Sequence, residues 1–147
     1  MFKYLMAGAA LFSVASFATA DDVKFLNVSG TVARDLPFSE AVQVGDMVYL
    51  SGQVGVKPGS MTLVEGGIRP EAKQVMENIQ AVLVKNGLSL RDVVKCTVML
   101  ADIGEWATFN EVYREYFSAP FPTRSAFGTS GLGLGARVEV ECWAAKD

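Results

Sequence analysis

The chain has 147 residues, half of them apolar, and carries 13 basic against 16 acidic side chains for a formal net charge of −3. That balance lacks the basic footprint of a nucleic-acid binder, and the length fits one domain. There is no histidine, which excludes a Ser-His or Cys-His catalytic pair and any His-ligated metal site.

The chain opens MFKYLMAGAALFSVASFATA. One positive charge, Lys3, precedes an apolar run from Tyr4 to Phe17, and Ala18-Thr19-Ala20 supplies the small-x-small pattern of a signal-peptidase site. The run is shorter than the roughly 20 residues that span a bilayer, and no cysteine follows it to carry a lipid. The expectation is a signal peptide over 1–20 and a domain over 21–147, exported to the periplasm or secreted, with no membrane association after cleavage. Removing Lys3 leaves 12 basic against 16 acidic residues, a net charge of −4.

VKFLNVSG (23–30) reads as a first strand ending at Gly30 and DMVYLSGQVGV (46–56) as a second. Between them ARDLPFSEAVQVG is polar and turn-rich, with Phe38 standing out. KPGSMTLVEGG is a loop with turn signals at Pro58-Gly59 and Gly66-Gly67. The period then changes. Ala72, Val75, Met76, Ile79, Val82 and Leu83 recur at helical spacing, Pro70 suits a first turn and Gly87 a C-terminal cap. The spacing predicts a helix over 69–86. DVVKCTVMLAD follows as a strand with Val94, Cys96, Val98 and Leu100 on one face.

DIGEWATFNEVYREYF is a second helix, with Asp102 and Glu105 at capping-box spacing. Its buried stripe is Trp106, Phe109, Val112, Tyr113, Tyr116 and Phe117. Asn110 lies on the edge of that stripe, and a buried amide needs partners, so it either pins a loop or faces a pocket. Two strands over 121–128 and 136–145 close the domain. The order β-β-α-β-α-β-β makes an α+β layer arrangement, a mixed sheet with two helices on one face. The other face, with Tyr49, Thr97, Met99, Arg137, Glu139, Glu141 and Trp143, is half apolar and uncovered, an oligomer signal.

Cys96 and Cys142 sit in no CxxC motif, and both fall on the apolar parity of their strands. The leading reading is a pair of small buried core residues. A disulfide is permitted in an oxidising compartment, whereas a catalytic thiol lacks a nearby base.

Arg124 stands in PFPTRSAFG, a small and apolar segment without an acid. It is either a solvent-facing edge residue or an anion-binding fork, since a guanidinium holds a carboxylate at two points. Glu139 and Glu141 share one strand face in RVEVECWAA. They are either exposed or salt-bridged acids, Arg137 being a candidate partner, or one of them handles a water proton. The glycines of GTSGLGLGARVE fit neither GxGxxG nor GxxxxGK[ST], and a strand follows them, so they read as an inter-strand loop.

Taken together and in order, the SGQ after a strand, the N..Y..YF helix, FP.RS and the late VE.E resemble the Rid/YjgF family, the reactive intermediate deaminases, over about 23–145. The resemblance implies a chorismate-mutase-like homotrimer with three clefts at subunit interfaces. It implies hydrolysis of reactive 2-imino acids, such as 2-aminoacrylate and 2-iminobutanoate, to 2-keto acids and ammonia, with no metal or organic cofactor. Arg124 would grip the substrate carboxylate and Glu139 would position the attacking water across the pocket. Ser51 and Gly52 would line the cleft, and Asn110 matches the helix asparagine. The family often has tyrosine where this chain has Phe38, so a hydroxyl is missing there. It often has cysteine at Ala126, where the backbone amide still serves. A second reading, a non-catalytic trimeric ligand-binding or chaperone-like protein, uses the same clefts; retention of both Arg124 and Glu139 favours the enzyme.

Overall fold

The structure, a computed structural model, describes residues 22–26 and 36–146. The expected leader over 1–20 and the tail of the expected first strand, residues 27–30, lie outside the described residues.

Among the described residues seven strands form one sheet: β1 (Val23–Leu26), β2 (Ala41–Val44), β3 (Met47–Leu50), β4 (Gln53–Val54), β5 (Val93–Leu100), β6 (Thr123–Gly128) and β7 (Val138–Ala145). Two helices, α1 (Ile68–Lys85) and α2 (Trp106–Tyr116), lie between them in sequence. The spatial order is β1-β2-β3-β7-β5-β6, with β4 also paired to β7. The β5–β6 pair is parallel and the other pairs are antiparallel. The sheet is therefore mixed, and β6 is an edge strand.

Strand β2 was not expected, since its four residues sit in the stretch that reads as polar. Its signal is the Gly45-Asp46 pair. Val44 faces Met47 across these two residues, and Gly45 takes the positive φ of 55° that a two-residue hairpin turn needs. The expected second strand divides at Ser51-Gly52 into β3 and β4, which both pair with β7 at different heights.

Helix α1 matches its expected span to within a residue at each end and stops at Asn86-Gly87. Its apolar stripe and that of α2 pack on one sheet face, where Cys96, Val98 and Leu100 of β5 meet Val138, Val140, Cys142 and Ala144 of β7. Val94 departs from the expected parity and is exposed. The partners Val93↔Ala144 and Lys95↔Trp143 are consecutive on β7, which leaves Val94 as the extra residue of a bulge.

The two cysteines are buried core residues, as the apolar parity suggests, and they are also joined in a disulfide. Cys96 and Cys142 are directly opposed on β5 and β7, with Cα atoms 4.2 Å apart, the close spacing of one class of antiparallel pair. Only the strand register brings them together, and no local motif announces it.

The Asp102–Glu105 box is half formed. Asp102 accepts a hydrogen bond from the Gly104 amide at 2.8 Å and caps a short 3₁₀ turn. Glu105 does not reach back; its carboxylate takes the guanidinium of Arg137. Arg137 thus ties the entry of β7 to the start of α2, and the expected Arg137 partner for Glu139 or Glu141 is engaged elsewhere.

Among the described residues, no helix or strand packs over the second sheet face at Tyr49, Thr97, Met99, Glu141 and Trp143. Tyr49 meets Trp143 edge-on with ring centroids 5.2 Å apart, and the Lys95 ammonium lies 4.5 Å from the centre of the same indole.

Candidate functional site

Arg124 and Glu139 occupy different halves of the molecule. Arg124 is paired with Cys96 on β5, and Cys96 with Cys142 on β7. Directly opposed residues share a face, so Arg124 projects from the helix-covered side. Glu139 is paired with Met99 and projects from the other. The two are two strands and three residues apart, roughly 14 Å between Cα atoms at ordinary strand spacings. A single chain does not bring them across one pocket from each other.

The Arg124 half is built by the edge strand and α2. The guanidinium Cζ lies 4.7 Å from the ring centre of Tyr113 and 5.9 Å from that of Phe109. A guanidinium stacks favourably on an aromatic face, which explains a half-buried arginine on an otherwise apolar strand. Among the described residues it has no carboxylate partner. A cavity of about 270 Å³ opens beside it, bounded by Trp106, Asn110, Tyr113, Arg114, Phe121 and Pro122. An adjoining hollow shares Arg124 and Trp106 and reaches Ala126.

Two residues that line this cavity each have a buried polar atom without a hydrogen-bond partner among the described residues, Asn110 Oδ1 and the Tyr113 hydroxyl. Buried polar atoms are nearly always paired, so an orphan calls for an explanation. Asn110 lines the cavity, and among the described residues its Oδ1 pins no loop. Burial pushes the Tyr113 phenol above its ordinary pKa, with the Arg124 charge opposing. Below that value the phenol is protonated and can donate.

The Glu139 half lies at the meeting of β4, β7 and the loop before β7. Glu139 is opposite Val54, next to Gly52. A Cβ at Gly52 would run into the Glu139 carboxylate, so the glycine makes the room in which this carboxylate sits. Burial raises the Glu139 carboxyl above the usual carboxylate range, and the charge of Glu141 adds to the rise. A cavity of about 250 Å³ opens here, and Phe38, Gly52 and Glu139 line it. Ser51 stands behind it. Its hydroxyl donates to the Ser39 carbonyl at 2.6 Å and its amide to Glu40 O at 2.9 Å, which fixes the segment carrying Phe38.

Sequence reasoning missed two contributors. Trp106 belongs to the α2 stripe by spacing yet is 45% exposed and forms a cavity wall, because it begins the helix beyond the core. Glu71 is buried in the first turn of α1 and accepts hydrogen bonds from the Arg137 amide at 2.6 Å and the Val138 amide at 3.4 Å. It fixes the backbone immediately before Glu139. Only the placement of an acid in a helix's first turn hints at it, and that is ordinary for dipole reasons.

Residues 31–146 match the family model described as endoribonuclease L-PSP. The chain is 43% identical over 118 residues to the 2-iminobutanoate/2-iminopropanoate deaminase of Bos taurus, covering 80% of this chain and 86% of that protein. It is similar to the crystal structure of RidA from the Antarctic bacterium Psychrobacter sp. PAMC 21119, with a TM-score of 0.78, 39% identity, and coverage of 83% and 98% of the two chains. It is similar also to the E. coli TdcF structure with bound serine, with a TM-score of 0.78, 31% identity, and coverage of 84% and 99%.

Proposed function

The chain belongs to the endoribonuclease L-PSP family, and from that premise we propose that it is a 2-imino acid deaminase of the 2-iminobutanoate/2-iminopropanoate class. It hydrolyses reactive 2-imino and enamine acids to 2-keto acids and ammonia. The observation that carries the reading is the Arg124 cavity. It combines a guanidinium seated on an aromatic ring with two buried polar atoms, all of them without partners among the described residues. Similarity to curated deaminases over most of the chain supports the same reading. The ribonuclease of the family description does not carry over, since a net charge of −3 and the lack of histidine suit neither binding nor cutting RNA.

Arg124 holds the substrate carboxylate at two points. Glu139, its basicity raised by burial, takes a proton from a water as that water's oxygen bonds to the imine carbon. The nitrogen gains the proton and a carbinolamine forms. Glu139 then takes the hydroxyl proton and passes a proton to the amine nitrogen, the C–N bond breaks with its electrons going to nitrogen, ammonia leaves, and the C=O bond of the keto acid forms. The reaction is intrinsically easy, so orientation and modest proton transfer suffice. Neither step needs a metal or an organic cofactor.

Arg124 and Glu139 act on one substrate when a second copy supplies one of them. The assembly is a homotrimer of chorismate-mutase-like subunits, with a cleft at each interface. Supporting this are the projection of the two residues from opposite sheet faces and the uncovered face around Tyr49 and Trp143. Light scattering tests it: three chains per particle are expected, and a monomer at micromolar concentration removes the composite site.

Residues 1–20 act as a signal peptide, and the domain over 21–147 works outside the cytosol, in the periplasm or secreted. The Cys96–Cys142 disulfide supports this, because such bonds persist in oxidising compartments. Intact mass of the exported fraction tests it, with loss of residues 1–20 expected. The test of the activity is hydrolysis of freshly generated 2-iminobutanoate by the purified protein. Binding of 2-oxobutanoate with no turnover would instead favour a non-catalytic ligand-binding protein.

A further inference from the structure

Three exposed large apolar side chains converge on one cavity. Phe38, Met61 and Leu134 are 51%, 44% and 52% exposed, and all three line the Glu139 cavity together with Leu36, Val54 and Val56. Among the described residues, the only charged group on that lining is Glu139 itself. Gln53, the one other described side chain there with nitrogen or oxygen atoms, directs its amide nitrogen to Ser51 O at 3.3 Å. The walls thus offer a substrate apolar contact almost alone, around one carboxylate.

Leu134 carries an independent observation. Its φ is 61°, in the left-handed region that a leucine enters only against steric resistance. Glycine is the usual choice for such a position, and glycines flank it on both sides. A bulky side chain is nonetheless placed where the backbone resists it, at the lip of the cavity. Outliers of this kind gather at ligand-contacting sites.

Size completes the argument. An apolar cavity of about 150 Å³ accommodates benzene, and this one measures about 250 Å³. A methyl or ethyl substituent would leave most of these walls in contact with water. A branched-chain, thioether or aromatic substituent would cover them, and each buried methylene favours binding by roughly fourfold.

We infer that the Glu139 cavity is the side-chain chamber of the substrate and selects 2-imino acids with large apolar side chains over the methyl and ethyl members of the class. This rests on the deaminase reading above. Phe38, Met61 and Leu134 are the specificity-determining residues, and the carboxylate anchor on Arg124 is common to all substrates.

The experiment compares imines freshly generated by an L-amino-acid oxidase from leucine, phenylalanine and 2-aminobutanoate. In parallel, calorimetry measures binding of the three matching 2-keto acids to the same purified protein. Expected is a kcat/KM at least tenfold higher for the leucine- or phenylalanine-derived imine than for 2-iminobutanoate, with the keto acids ranked the same way. Leu134→Gly suits the backbone at that position and removes the side chain; it should lower the large-to-small ratio several-fold, and Met61→Ser should do the same. Equal or reversed preference in both assays overturns the inference, as does a preference that neither variant changes. Size-ranked keto-acid binding without hydrolysis of any imine would retain the chamber and overturn the deaminase reading alone.

Discussion

The Arg124 guanidinium rests on the face of Tyr113, with Cζ 4.7 Å from the ring centre, while the Tyr113 hydroxyl is buried without a partner. The tyrosine therefore has two separable parts: a ring that seats the cation and a buried hydroxyl on the residue that lines the cavity. Tyr113→Phe keeps the seat and removes the hydroxyl. Tyr113→Leu removes both. A cation–π contact is worth about 0.5–2 kcal/mol, so Tyr113→Leu should weaken 2-oxobutanoate binding by roughly two- to thirtyfold. Tyr113→Phe should retain the part of that affinity that belongs to the ring. Calorimetry on both variants separates the parts, and equal losses would show that the ring does not position Arg124.

Arg124→Ala should abolish measurable binding and turnover alike. Loss of a hydrogen bond to a charged group costs about 1.5–3 kcal/mol, roughly ten- to more than hundredfold in affinity. Arg124→Lys should recover little, because an ammonium lacks the planar two-point fork. Keto-acid titration of the three proteins checks this. Parental affinity in Arg124→Ala would refute the carboxylate-anchor role.

The Cys96–Cys142 bond joins the neighbouring strands β5 and β7 and closes a loop with a sequence separation of 46. Removing a native disulfide from a small domain costs about 2–5 kcal/mol. The double variant Cys96→Ala, Cys142→Ala should unfold at correspondingly lower denaturant, with little change in keto-acid affinity, because neither sulfur lines a cavity. Urea titration monitored by tryptophan fluorescence reads the first effect and calorimetry the second. Unchanged stability would mean that the bond does not constrain the chain.

Features written in local periodicity were legible from the sequence. The 3.6-residue spacing from Ala72 to Leu83 and the glycine at 87 locate α1 almost to the residue. The alternation around Cys96 and Cys142 assigns both to the core. Pairings set by register were not legible, since they depend on which strands meet. The disulfide, the Val94 bulge and the division of labour between Arg124 and Glu139 all follow from β6, β5 and β7 lying side by side. Trp106 shows the limit of a helical stripe: periodicity gives its direction, and the extent of the core decides whether it is covered. Placing Arg124 opposite Glu139 came from motif resemblance, which carries no information about which chain supplies each residue.

Gly52 is required for space. A Cβ there would collide with the Glu139 carboxylate, while Gly52 itself has no positive φ. Gly52→Ala should therefore fold, because its backbone accepts an L side chain, yet it must displace the Glu139 carboxylate, to which the proposed mechanism gives the orienting of water. Expected is a fall in kcat of at least tenfold with keto-acid affinity changed much less. Circular dichroism with single-turnover kinetics would check both halves. A fully active Gly52→Ala protein would show that the carboxylate does not work from the position it holds here.

Glu139 joins reactivity to stability through one shifted ionisation. Burial, and then Glu141, raise its carboxyl pKa, so the folded chain binds this proton more tightly than the unfolded chain does. By linkage, stability from this group is fully present below the unfolded value, about 4.3 for glutamate, and is lost as pH rises through the higher folded value. At pH 7 the ionised carboxylate is therefore a destabilising feature of the fold. Glu139→Gln keeps the size and removes the charge. It should melt at or above the parental temperature at pH 7, with the difference vanishing near pH 4. Its hydrolysis rate should fall by roughly 10²–10⁴-fold, the usual contribution of a general base, while keto-acid binding is largely kept, as expected of an interaction made mainly in the transition state. The parent should lose kcat/KM as pH falls through the raised Glu139 value, with the acid limb above the ordinary glutamate range. Glu141→Gln should move that limb downward, since the neighbouring charge is the lesser of the two causes. Parental turnover in Glu139→Gln would remove the water-positioning role. A lower melting temperature at pH 7 would show that the carboxylate is instead stabilised by a partner supplied on assembly.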